Sequence, residues 1–207
     1  MSKSYDQYCP MAHALDLVGE RWTLLIVREL LHGPMRYTDL SDRLPGIGTN
    51  ILAARLKDLE ACGIVEKHRL PPPAASQVYE LTPYGHELKS VLRALAVWGV
   101  RSLGPPEPER LATGWLESAV AMFFAPGAPV GRFVFRIDGE VASLTNGETL
   151  AGPLDDPDVT VETTATGLYY LFFERRYDGV EIDGDRELFE RLLDTATAPV
   201  VSGAVAV

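Results

Sequence analysis

The chain has 207 residues, 46% of them apolar, and a formal net charge of −10, a length between the usual sizes for one domain and two, with enough apolar content for a sizeable core. No charged N-terminal stretch leads into an apolar run with a cleavage site, and nowhere do ~18 apolar residues run together, which argues against a secretory leader or a membrane span and gives the expectation of a cytoplasmic protein. Cys9 and Cys62 have neither a Cys-x-x-Cys spacing nor a surrounding His cluster, which argues against a zinc site or a disulfide framework, so no metal and no cofactor is expected.

Charge is unevenly distributed. Residues 1–104 carry a net +1 and residues 105–207 a net −11, and every Lys, every His and both Cys precede Gly104. Two domains, 1–104 and 105–207, are therefore expected, joined by Gly-Pro-Pro-Glu-Pro-Glu (104–109), whose prolines favour a short stiff connector.

In chain order, Met11 to Val18 predicts a short helix closed by Gly19, and Glu20 to His32 a second one closed by Gly33-Pro34. Within Arg36–Leu44 the apolar residues Tyr37, Leu40 and Leu44 keep helical spacing, and after Pro45-Gly46-Ile47-Gly48 the pattern resumes with Leu52, Leu56 and Leu59. Ile64–Arg69 and Gln77–Leu81 predict two strands around a proline-rich tip, the shape of a wing. Thr82 offers an N-cap with Pro83 at the first helical position, opening one continuous helix to about Leu103 whose surplus apolar surface predicts a dimer partner.

A helical wheel with Leu52, Leu56 and Leu59 inside places Asn50, Ala53, Ala54 and Lys57 outside, with Arg55 at a flank. Asn pairs bidentately with adenine, Ala packs on a thymine methyl, and Lys or Arg holds phosphate or guanine. Thr49 at the helix N-terminus, Arg36 and Thr38 at the start of the preceding helix, and Lys67, His68 and Arg69 on the wing complete a candidate duplex-binding set. A net charge of only +1 for this half is the feature that fits nucleic acid least.

The run Tyr-Cys-Pro-Met-Ala-His-Ala-Leu-Asp-Leu-Val-Gly-Glu-Arg-Trp-Thr-Leu-Leu-Ile-Val-Arg-Glu-Leu (8–30) occurs together with three shorter ones. These are Leu-Pro-Gly-Ile (44–47), Ala-Arg-Leu-Lys-Asp-Leu-Glu-Ala-Cys-Gly-Ile-Val (54–65) and Tyr-Glu-Leu-Thr-Pro-Tyr-Gly (79–85). Together they resemble the HxlR family of bacterial winged helix-turn-helix regulators. The resemblance implies homodimers formed by the terminal helices, a palindromic double-stranded DNA operator, and regulation of neighbouring genes. Gly48-Thr49-Asn50 departs from the Ser-containing opening usual in the family, so base preference does not carry over. Some members sense oxidants or electrophiles through a Cys near the N-terminus, and Cys9 stands at that position.

The second half predicts an α+β fold with an antiparallel sheet. Residues 108–125 read as a helix ending at Pro126-Gly127. A meander follows, Arg132–Ile137 and Glu140–Thr145 with turns at Asp138-Gly139 and Asn146-Gly147, then a strand marked by Val159 and Val161. Residues 168–173 read as helical, Val180–Ile182 as extended, and a last helix bears Leu188, Phe189, Leu192 and Leu193. The absence of His, Cys and Lys after Gly104 removes the usual neutral-pH base, thiol nucleophile and Schiff-base amine, so catalysis is not expected. Asp155, Asp156 and Asp158 lack calcium-loop spacing and read as a solvated turn. The segments Pro-Asp-Val-Thr-Val-Glu-Thr (157–163) and Gly-Val-Glu-Ile-Asp-Gly-Asp (179–185) resemble the sterol carrier protein-like domain, which implies an apolar tunnel, a small apolar ligand, and a lining of Phe133, Phe135, Leu168, Phe172 and Phe189. Two alternatives stay open: a regulator that senses through Cys9 with an inert C-terminal domain, and an apolar-molecule carrier or enzyme that uses the winged helix for protein contacts.

Overall fold

The computed structural model describes residues 4–73, 75–112, 114–124 and 127–196, with the backbone alone described for residue 101. The expected helix end at Pro126 and the tail from residue 198, which the sequence does not place, lie outside the described residues. The chain divides into two compact units, residues 1–92 and 93–207. Among the described residues no helix is long and apolar enough to cross a membrane.

In the first unit α1 (Pro10–Val18) starts with proline at its first position and is followed by α2 (Thr23–Leu30). The second helix is shorter than its apolar pattern predicts, because Trp22 takes a left-handed conformation, φ 81°, that breaks the helix path between Glu20 and Thr23. Next come α3 (Tyr37–Arg43) and α4 (Thr49–Ala61). The wing is an antiparallel pair, β1 (Val65–Arg69) with β2 (Gln77–Leu81), in the register Val65 opposite Leu81 and Arg69 opposite Gln77. Met35 adds a third short strand by exchanging both backbone hydrogen bonds with Tyr79, at 3.0 and 2.8 Å.

Thr82 caps α5 (Pro83–His86) by accepting from the Gly85 N–H at 3.1 Å, while its own hydroxyl donates to the Gly63 carbonyl at 2.6 Å. Its cap thus also ties the wing to the helix that follows. Gly85 is buried so close to the Ile64 carbonyl oxygen that a Cβ there would collide with it. The single helix expected from Pro83 to Leu103 is interrupted: its hydrogen-bond ladder opens at Glu87, resumes as α6 (Leu88–Gly99) and tightens into a 3₁₀ turn at Val100–Ser102.

The second unit is a five-stranded sheet in the order β5-β4-β3-β6-β7 with helices packed on it. Its strands are β3 (Arg132–Ile137), β4 (Glu140–Thr145), β5 (Glu148–Ala151), β6 (Val159–Thr163) and β7 (Glu181–Gly184). Both two-residue turns form where expected, with positive φ at Asp138, Gly139, Asn146 and Gly147, the geometry that matches strand twist. Three ladders are antiparallel, but β3 and β6 pair in parallel. The meander pattern does not reveal this, because the chain leaves the sheet edge after β5 and returns beside the centre.

The expected helix over 108–125 is also corrected. Pro108–Arg110 forms a 3₁₀ turn, Leu111 is extended, and α7 spans only Trp115–Phe123 after a left-handed Gly114 at φ 78°. The remaining helices are α8 (Ala165–Glu174) and α9 (Arg186–Thr195). Carboxylates of this acidic unit accept from helix N-termini: Glu140 from Gly114 and Leu116 N–H at 2.8 and 3.2 Å, Asp138 from Ala165 at 2.7 Å, and Asp185 from Leu188 at 2.9 Å. Asp158 accepts from the Arg132 N–H at 2.8 Å, while Asp155 and Asp156 are exposed.

Gly85→Ala is expected to lower stability by ~1–3 kcal/mol through overpacking, and Thr82→Ala by ~1 kcal/mol through loss of the cap. Urea unfolding followed by circular dichroism checks both, and Gly85→Ala at wild-type stability would contradict the close approach to Ile64.

Candidate nucleic-acid interface and apolar cavity

The orientation of α4 follows from three leucines. Leu52, Leu56 and Leu59 are at most 1% exposed, so the opposite side of the helix must face outward, and Thr49, Asn50, Ala53, Ala54 and Lys57 are all exposed. Tyr37 fixes the start of the helix by donating its hydroxyl to the Thr49 carbonyl at 2.7 Å. In α3 the Asp39 carboxylate accepts from the Arg36 N–H at 3.2 Å, leaving Arg36 and Thr38 exposed at its start. Behind them the buried Glu29 carboxylate pairs with Arg28 and, at 3.5 Å, with Arg43 at the end of α3.

Arg55 takes a different place from its neighbours. Its guanidinium donates to Asp58 at 2.7 Å and to Glu20 at 3.2 Å, and its side chain is only 22% exposed. It braces α4 against the α1–α2 connection and is not offered outward. Sequence spacing does not show this, because Glu20 lies far away along the chain.

Strand alternation divides the wing residues. Lys67 and Arg69 share a face with Gln77 and Tyr79, and the Lys67 ammonium lies 5.3 Å from the Tyr79 ring centre. His68 points to the other face, where its Nε2 stands 3.5 Å from the Glu80 carboxylate. The grouping of Lys67, His68 and Arg69 is thus corrected to two cations on one face and an imidazole on the other. Two outward groups were missed: Arg21, over the Trp22 ring at 5.5 Å, and Ile51, 43% exposed.

The second unit contains a cavity of about 190 Å³ with an almost wholly apolar wall. Of the five residues proposed as a lining, Leu168 and Phe172 border it, but Phe133, Phe135 and Phe189 do not: each is buried in the core between sheet and helices. The cavity instead takes its wall from Leu103, Leu111, Trp115, Phe123, Tyr169 and Phe173, among others. Along α7, Trp115, Ala119 and Phe123 line the cavity while Leu116 is fully buried in the core, a division that helical spacing alone does not show. Phe172 packs edge-on against Phe123 at 5.2 Å, and Tyr169 lies 4.6 Å from Phe173. Burial, with Glu174 adding to it, holds the Tyr169 phenol above its usual pKa range, and the described lining residues include no Asp, Glu, Lys, Arg or His.

An exposed helix following a short helix and turn, backed by a two-stranded wing, defines a winged helix-turn-helix fold. The HxlR-like helix-turn-helix family model matches residues 17–107. The uncharacterized HTH-type transcriptional regulator sll1512 of Synechocystis is 35% identical over 109 residues, covering 53% of this chain and 71% of that protein. The HTH-type transcriptional regulator YodB of Bacillus subtilis is 38% identical over 91 residues, covering 44% of this chain and 81% of YodB. The solved structure of reduced YodB aligns over 49% of this chain and 100% of that one, with 34% identity and a TM-score of 0.42. The chain belongs to the HxlR-like helix-turn-helix family, whose relatives here are named as transcriptional regulators, which are not enzymes.

Tyr37→Phe, which removes only the hydroxyl held by Thr49, is expected to cost ~0.5–1.5 kcal/mol. Chemical denaturation reads this directly, and an unchanged midpoint would show that the bond does not hold the start of α4.

Proposed function

We propose that this protein is a homodimeric regulator that binds a palindromic operator through α4 and the wing, and that a small apolar ligand in the second unit modulates that binding. The observation that carries the DNA half is the outward face of α4, where Asn50, Ala53, Ala54 and Lys57 are exposed together. Asn50 reads adenine, Ala53 and Ala54 contact thymine methyls, and Lys57 with Arg36, Thr38 and Thr49 holds the phosphates. Lys67 and Arg69 hold phosphate from the wing. Arg55 acts by keeping α4 in position.

Dimerisation is supported by apolar surface on two helices. Val91, Leu95 and Trp98 follow one another along α6 at 45, 45 and 72% exposure, and Met11 and Leu15 along α1 at 65 and 38%. Rows of this kind at helical spacing mark association surfaces. Two recognition helices then enter successive major grooves ~34 Å apart.

The ligand reading rests on the cavity and on the sterol carrier-like resemblance of this unit. Its volume of about 190 Å³ is nearer to the ~150 Å³ apolar cavity that takes up benzene than to the ~300–1,000 Å³ of drug-sized sites. The ligand class is accordingly a neutral molecule of one or two rings. Val100, Leu103 and Gly104, at the end of the helix that begins at Leu88, belong to the wall, so occupancy acts on the helix that carries the exposed apolar row. Coupling of this kind is typically ~1–3 kcal/mol.

A second reading makes Cys9 the sensor, because it is exposed at the N-cap of α1. Oxidant treatment that alters DNA affinity in wild type and not in Cys9→Ser supports it.

Lys67→Ala is expected to weaken binding to all duplexes and to lower the salt slope by about 1, whereas Asn50→Ala relaxes base preference by ~1–3 kcal/mol. Binding titrations on specific and random duplexes at several salt concentrations separate the two, and equal losses on both duplexes for Asn50→Ala would refute its base-reading role. Toluene and naphthalene are expected to raise the melting temperature and change operator affinity, and Ala119→Phe, which fills the cavity, to abolish both effects. Compounds that neither bind nor alter DNA affinity would remove the ligand reading.

A further inference from the structure

The face of the wing opposite Lys67 and Arg69 has its own chemistry. Glu66 of β1 and Glu80 of β2 are direct cross-strand partners, and His68 follows Glu66 on the same face by strand alternation. Like charges placed directly opposite one another destabilise a sheet, yet this register sets two carboxylates against each other. One imidazole nitrogen and one oxygen from each carboxylate lie within 4.8 Å of one another. The His68–Glu80 edge of the triangle is 3.5 Å.

These donors match what a first-row divalent cation requires. Imidazole nitrogen suits zinc and its neighbours, and carboxylate oxygen completes the set. With metal–donor bonds of ~2.0–2.2 Å, two donors in one coordination sphere stand about 3–3.6 Å apart. The His68–Glu80 pair is already there, and Glu66 is an exposed side chain on a strand, free to close the remaining distance by a change of rotamer. With a neutral imidazole the three groups carry a charge of −2, which one divalent ion cancels. His68 and Glu80 have side-chain exposures of 37 and 36%, so an ion reaches the site from solvent and water fills its other positions.

We propose that Glu66, His68 and Glu80 form a binding site for a divalent transition-metal cation of the zinc type. The site crosslinks β1 and β2 near the middle of the wing. Sequence spacing hides it, because Glu66 and His68 are neighbours while Glu80 arrives through strand register.

The full chain carrying Cys9→Ser, so that the exposed thiol does not compete, is titrated with ZnCl₂ by calorimetry. One ion per chain is expected. His68→Ala and Glu80→Gln should each weaken it by at least the ~10–100-fold that loss of an outer-shell partner costs. Glu66→Gln, an exposed and conservative change, serves as the variant whose folding is least at risk, with circular dichroism confirming structure. Bound Co²⁺ should give visible d–d bands without a near-ultraviolet thiolate charge-transfer band. No stoichiometric binding, binding unchanged in all three variants, or a thiolate band that reports ligation by Cys62 would each overturn the proposal.

Discussion

The rotation of α4 about its own axis is the constraint on which the functional surface depends. Three leucines at i, i+4 and i+7 are buried in the core of the first unit. Burying each contributes roughly 1.5–3 kcal/mol, far more than any single polar group on the outer side is able to contribute. The outer side is therefore chosen by exclusion: whatever residues lie opposite the leucines are displayed. Around this the polar contacts act as fixtures. Tyr37 holds the first turn, Arg55 holds the flank to Glu20, and Thr82 ties the base of the wing to α5.

The second unit solves a different problem, that of carrying a large negative charge on a compact fold. Part of the solution is to use carboxylates as backbone acceptors. Asp138, Glu140 and Asp185 each meet N–H groups at the start of a helix, where the helix dipole favours negative charge. Two of these three sit at the hairpin between β3 and β4, so the turn that shapes the sheet also sets the start of α7 and α8. Its acidity is thus in part structural and says less about partners than net charge alone implies.

Local signals made much of the fold legible. The two-residue turns Asp138-Gly139 and Asn146-Gly147, the Thr82-Pro83 helix start and the leucine spacing of α4 each carry their geometry within a few residues. What stayed hidden depends on contacts between segments far apart in sequence. Trp22 breaks α2 where its pattern is continuous, and β6 returns to the centre of the sheet in parallel. Phe133 and Phe135 alternate along β3 as a lining would, yet they fill solid core. The outward set on α4 was legible because a helical wheel needs no tertiary information. The loss of Arg55 to Glu20 was not, because it needs a partner on another element, whereas the separation of His68 from Lys67 follows from alternation along β1 once that strand is in place.

The two outermost strands of the five-stranded sheet have a bearing on how copies of this protein meet. Both β5 and β7 are four residues long, and they carry Glu148 in one and Glu181 with Asp183 in the other. Short, charged margins are poor templates for adding a foreign strand, so continuation of the sheet from molecule to molecule is blocked at both ends. Contacts that extend this sheet edge to edge are thereby disfavoured at both of its margins.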